Sequence, residues 1–149
     1  MNSSVAKSFV AAARRWRSRL TSSRPAHLQR GARGEKLACR HLRQNGYKIL
    51  YRNFRGRSGG EIDIVCRDQD TLVFVEVKTR TSEDFGRPIE TIRKEQRQRI
   101  SRGALAWLRM LDDPDILFRF DVVEVVLTED EPRIELIKNA FGLSEPLRY

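Results

Sequence analysis

The run Leu72-Val73-Phe74-Val75-Glu76-Val77 constrains this chain more than any other feature. Successive side chains of a strand point to opposite faces, so a segment apolar at every position is covered on both sides and reads as an interior strand. Glu76 and Lys78 interrupt it. A charge carried into such a strand is costly unless it is paired or put to use.

The preceding segment, Glu61 to Arg67, sets Ile62 and Ile64 against Glu61, Asp63 and Val65, and Asp68-Gln69-Asp70 marks a turn before Thr71. The two segments therefore form a hairpin. With a loop of two or four residues the paired positions sum to 139, which sets Ile62 opposite Val77 and Ile64 opposite Val75. On the other face Asp63 then lies opposite Glu76, and Glu61 opposite Lys78. An odd loop would carry the charged set to the apolar side of its partner.

Like charges directly opposite are destabilising, so two carboxylates placed this way require a proton or a cation. Magnesium takes oxygen ligands and commonly uses one or two carboxylates plus phosphate oxygens. Lys78 projects from the same face as Glu76, where an ammonium can stabilise phosphate charge or help orient and deprotonate water. Together these are the parts of metal-assisted phosphodiester hydrolysis. The spacing alone also fits an exposed hairpin with surface salt bridges, which contribute little. Asp63 between two isoleucines, and Glu76 within an interior strand, favour the buried arrangement.

Around the hairpin, the apolar positions Ala32, Leu37, Ala38, Cys39 and Leu42 predict a helix over Gly31 to Asn45. A strand follows over Tyr47 to Phe54, then a glycine-bearing loop with Arg55 and Arg57. Gly86 and Pro88 mark a loop before a helix over Ile92 to Leu111, whose core stripe runs Ile92, Gln96, Ile100, Ala104, Trp107 or Leu108, and Leu111. Strands over Phe118 to Leu127 and Arg133 to Ile137 complete the order helix, three strands, helix, two strands. The fold class is α/β, with a mixed central sheet flanked by helices. The expected divisions are a basic extension over 1–30, a domain over 31–140 and a tail over 141–149.

The chain carries 29 Lys and Arg against 20 Asp and Glu, a net +9. From Met1 to Gly34 there are eight bases and no acid, from Glu35 to Arg109 17 bases and ten acids, and from Met110 to Tyr149 four bases and ten acids. A nucleic-acid partner is expected, meeting the middle part. The extension can be a mobile tail, a phosphate-tracking arm or an organellar targeting segment, and Val5 to Leu20 could form a basic helix. Arg or Lys interrupts every apolar run, so no membrane span is expected. Cys39 and Cys66 read as reduced thiols in a cytoplasmic protein, and His27 and His41 as helix-face or surface residues without metal-ligand spacing.

Gly34-Glu35, Gly60-Glu61-Ile62-Asp63-Ile64-Val65 and Val73-Phe74-Val75-Glu76-Val77-Lys78-Thr79-Arg80 resemble the motifs of the bacterial YraN-like family. Phe85-Gly86-Arg87-Pro88, Lys94 and Phe120-Asp121-Val122-Val123 extend the similarity from Gly31 to about Ala140. The resemblance implies a restriction-endonuclease-like core carrying that superfamily's motif, an acid followed on the next strand by Asp or Glu-x-Lys. Archaeal Holliday-junction resolvases are similar in adding a Glu from the first helix. By this resemblance Asp63 and Glu76 would hold Mg²⁺ or Mn²⁺, Glu35 would complete its shell directly or through water, and Lys78 would serve the nucleophilic water. Arg55, Arg57, Arg80 and Arg87, and more weakly Lys94, would contact phosphates. The expected activity is metal-dependent cleavage of DNA, branched or structured DNA included, with a homodimer left open. The alternative is a non-catalytic nucleic-acid-binding module of the same fold.

Overall fold

The computed structural model describes residues 25–81, 92–111 and 115–144. Packing divides the chain into two units, Met1–Arg30 and Gly31–Tyr149, and the sheet and the site belong to the second. The elements are α1 (Ala26–Gln44), β1 (Lys48–Arg55), β2 (Glu61–Asp68), β3 (Thr71–Arg80), α2 (Lys94–Leu108), β4 (Phe118–Val126) and β5 (Arg133–Phe141). One five-stranded sheet runs in the order β1-β2-β3-β4-β5. β3 and β4 are parallel and every other pair is antiparallel, so the sheet is mixed. The run that opened the sequence reading is the central strand, and Leu72 to Glu76 are buried.

Alternation along the strands sorts the core into two layers. Ile64, Cys66, Val73 and Val75 pack with Ala38, Cys39 and Leu42 of α1. Val65, Leu72 and Phe74 pack with Ile100 and Ala104 of α2, and with Phe120 and Phe141, whose rings stack at 4.9 Å. Two glycines let the helices come close. A Cβ at Gly34 would overlap the Thr79 side chain, and one at Gly60 would overlap the backbone of Gly103 on α2.

The hairpin register runs from Asp68↔Thr71 to Ile64↔Val75, so the paired positions sum to 139 as expected. Beyond it the expected pairing fails. Ile62 packs in the α2 layer although Ile64, of the same parity, packs in the α1 layer. Their β1 partners divide in the same way: Phe54, opposite Ile62, joins the α2 layer, while Arg52, opposite Ile64, reaches towards α1. Between these pairs stand Asp63 and Asn53, the latter with φ 53, a left-handed conformation that Asn tolerates better than most residues. The β1–β2 ribbon turns over at this point, and β2 leaves β3.

Three elements differ from the sequence reading by more than one residue at an end. α1 begins at Ala26 rather than Gly31, with Leu28 and Gln29 donating to the Pro25 carbonyl in its first turn. α2 is shorter, Lys94–Leu108. β5 continues past Ile137 to Phe141, through Asn139 at φ 50, so Phe141 belongs to the sheet rather than to a tail. The expected helix over Val5 to Leu20 and the Phe85 to Pro88 loop lie outside the described residues.

Candidate active site

Where β2 leaves β3, the Val77 N–H loses the strand partner a continued ladder would supply, and the Asp63 side chain takes that place. Oδ2 of Asp63 accepts the Val77 N–H at 2.8 Å. This contact draws Asp63 into the gap between two strands and beside Glu76, which is only 6% exposed. Burial first, and the neighbouring Glu76 second, push the Asp63 carboxyl up to about 7, against the pull of the Val77 hydrogen bond. The hairpin register expects these two carboxylates face to face, and the structure brings them together.

Three further side chains surround the pair. Lys78 Nζ stands 3.6 Å from Oε1 of Glu76. Gln96, from the first turn of α2, donates its side-chain amide to the same oxygen at 2.6 Å. Glu35 faces Asp63 from α1, its helix held against Thr79 of β3 through Gly34. Its carboxyl is raised by burial and then by Asp63, while a hydrogen bond from Asn53 and the charge of Arg52 act in the opposite sense. The Arg52 guanidinium lies 3.8 Å from Glu35.

Glu61 does not meet Lys78. With the ribbon turned over, Glu61 instead faces Arg55 at 3.5 Å and Arg99 of α2 at 3.8 Å. Arg57 is exposed in the β1–β2 loop, and Lys94 is exposed at the start of α2. Arg80 takes a different place from the one expected. Its side chain is 10% exposed and pairs with Glu124 of β4 at 3.0 Å, so it serves the sheet and is not presented to a phosphate. Arg87 lies outside the described residues.

Gln96 is the site residue that sequence reasoning assigned to the core. Its signal was present: a lone amide in an otherwise apolar stripe, where a buried polar group needs a partner. Asn53 and Arg52 were not singled out, because nothing local marks the residue at which a ribbon turns over.

Among the described residues, no three Asp, Glu, His or Cys side chains close on one point. Asp63 and Glu76 are thus a two-carboxylate set, with Glu35 close enough to feel the charge of Asp63. A hard divalent cation fits such a set, since Mg²⁺ is usually held by one or two carboxylates and keeps several waters. A cation there would favour the ionised form of Asp63 against the burial and the Glu76 charge that raise it.

The sequence pattern described as "Uncharacterised protein family UPF0102" matches residues 34–125. The chain belongs to the UPF0102 family. The matched span runs from Gly34 through Val125 and so includes Glu35, Asp63, Glu76, Lys78 and Gln96. A UPF0102 protein of Geobacter metallireducens is 49% identical over 114 residues, covering 76% of this chain and 93% of the relative. One of Geobacter sulfurreducens is 50% identical over 115 residues, covering 76% and 89%. A third, from Nocardia farcinica, is 48% identical over 112 residues, covering 74% and 87%. No helix among the described residues is long and apolar enough to cross a membrane.

Proposed function

We propose that this UPF0102 protein is a Mg²⁺-dependent nuclease of the restriction-endonuclease-like superfamily that hydrolyses phosphodiester bonds of DNA, including branched or structured DNA. The observation that carries this reading is the convergence of Asp63 and Glu76 beside Lys78 at the point where β2 parts from β3. A fold that only needed stability would not set a half-buried carboxylate against a buried one near the end of its central strand. The order helix, three strands, helix, two strands and the mixed sheet agree with the superfamily assignment.

When bound, a divalent cation supplies Lewis-acid charge for a phosphoryl oxygen and lowers the pKa of water. The chain's own residues do the remaining work. Val77, Gln96 and Lys78 each engage one oxygen of a carboxylate, which fixes the orientation of the pair. Lys78, partly exposed beside Glu76, orients the attacking water and balances charge on the phosphate. Water oxygen forms a bond to phosphorus as one of its protons is lost to a solvent water, and the bond from phosphorus to the leaving oxygen breaks, that oxygen taking a proton from solvent. Arg55 and Arg57 contact flanking phosphates, which position a strand without reading its sequence.

Cleavage is tested on linear duplex, single-stranded and four-way-junction DNA with Mg²⁺ or Mn²⁺, comparing wild type with Asp63→Ala and Glu76→Ala. Cleavage by wild type that is lost in both variants supports the reading. Cleavage that persists in both, or metal-independent DNA binding with no cleavage by wild type, overturns it, the latter in favour of a non-catalytic binding module.

A further inference from the structure

The second face of α1 has no part in the site described above. Arg33, Lys36, Arg40 and Arg43 recur at i, i+3, i+7 and i+10, the spacing that keeps side chains on one side of a helix. All four are exposed, whereas Gly34, Ala38, Cys39 and Leu42 are buried. The acid of this helix, Glu35, is half-buried and engaged with Arg52. Among the described residues none of the four bases is in an ion pair. Four unneutralised cations thus line about 15 Å of helix, taking 1.5 Å of rise per residue.

We infer that this stripe is a docking surface for the phosphate backbone of double-stranded nucleic acid, separate from the carboxylate pair and on the side of α1 turned away from its buried face. Duplex DNA offers one negative charge per about 1.7 Å of its axis, so a row of cations of this length meets several phosphates at once. The chemistry of the surface disfavours other occupants. A membrane-binding helix needs an apolar face free to enter lipid, and along the stripe the apolar residues Leu37, Ala38, Cys39 and Leu42 pack into the protein, Leu28 being exposed ahead of it. A protein partner is expected to meet aromatic or aliphatic anchors, and from Gly31 to Gln44 the only exposed apolar side chain is Ala32. The inference deepens the nuclease reading by naming a substrate with a duplex arm long enough to lie along α1.

The test measures binding of the full chain to a labelled duplex of about 30 base pairs by fluorescence anisotropy across a salt series. Wild type is compared with Arg33→Gln/Lys36→Gln/Arg40→Gln/Arg43→Gln, and with Arg40→Gln alone as a milder variant. The quadruple variant should lose at least tenfold in affinity near 100 mM salt. Its plot of log affinity against log salt should flatten by roughly 0.9 for each phosphate contact removed. Arg40→Gln should flatten the plot by about one such step. A wild-type protein that does not bind duplex, or variants with the wild-type salt slope, would overturn the inference. So would variants that lose binding to phosphatidylserine vesicles but keep binding to DNA. Because duplex binding is measured without divalent metal, failure of cleavage and failure of docking are read separately.

Discussion

The Val77 backbone N–H donates to the Asp63 carboxylate at 2.8 Å, so an acidic side chain occupies the place of a strand partner. One hydrogen bond thereby closes the sheet where β2 departs and fixes an acid beside Glu76. The same acid also bears the electrostatic cost of the site, because its carboxyl is raised to about 7 by burial and by that neighbour.

Stability without metal should fall with rising pH. The Asp63 carboxyl rises from about 3.9 in an unfolded chain to about 7 in the folded one. Between these values the native state holds a proton that the unfolded state has lost, and stability decreases as pH increases through that window. Urea denaturation of wild type and Asp63→Asn from pH 4 to 8 checks this: the decline should be much shallower in Asp63→Asn. Metal binding should follow the opposite course, tightening as pH rises towards 7 because the cation displaces that proton.

Gln96→Ala removes the amide that holds Oε1 of Glu76 at 2.6 Å. Partners that orient metal ligands typically alter metal affinity by ten- to a hundredfold, so Mn²⁺ affinity should fall on the order of tenfold. The melting temperature should change little, since Gln96 is only half-buried near the start of α2. Calorimetric Mn²⁺ titration alongside thermal melts separates the two effects.

Gly34→Ala should act on both stability and the site. The added methyl would overlap Thr79, so α1 must move away from β3 and take Glu35 with it. Overpacking of this kind costs about 1–3 kcal/mol. Pairing it with Thr79→Ser, which removes a methyl but leaves the hydroxyl, should recover only part of that loss in urea denaturation.

Far from the site, Asp121 is fully buried. It accepts from Arg119 at 2.9 Å and from the Asn139 N–H at 2.9 Å. Arg119 also reaches Asp68 at 2.7 Å and Tyr47 at 2.9 Å. Asp121→Ala leaves Nε of Arg119 and the Asn139 N–H without an acceptor while Asp68 still pairs with the guanidinium, and should cost about 3 kcal/mol in urea denaturation, the low end for a broken buried pair. Under conditions where this variant is folded, its Mn²⁺ affinity should equal that of wild type.

The hairpin was legible because two independent patterns, the apolar parity of Ile64 and Val75 and the acidic parity of Asp63 and Glu76, demanded one register. The order of elements was legible for the same reason, from period and turn chemistry. What sequence could not show was the face reversal at Asn53 and Asp63. A left-handed Asn is permitted at many positions, and only packing against two different helices selects this one. That reversal undid the expected pairing of Glu61 with Lys78. Arg80 misled because a basic residue beside an active-site motif looks the same whether it faces a phosphate or, as here, Glu124. Gln96 was visible but was assigned by periodicity alone.

Direct Mn²⁺ binding, followed by electron paramagnetic resonance, tests the claim on which the site depends. Wild type should bind Mn²⁺ at Asp63 and Glu76, Asp63→Asn and Glu76→Gln should each abolish that binding, and Arg80→Gln should leave it unchanged. Absence of Mn²⁺ binding by wild type, or equal binding by Asp63→Asn, would contradict the assignment of this carboxylate pair as a metal centre.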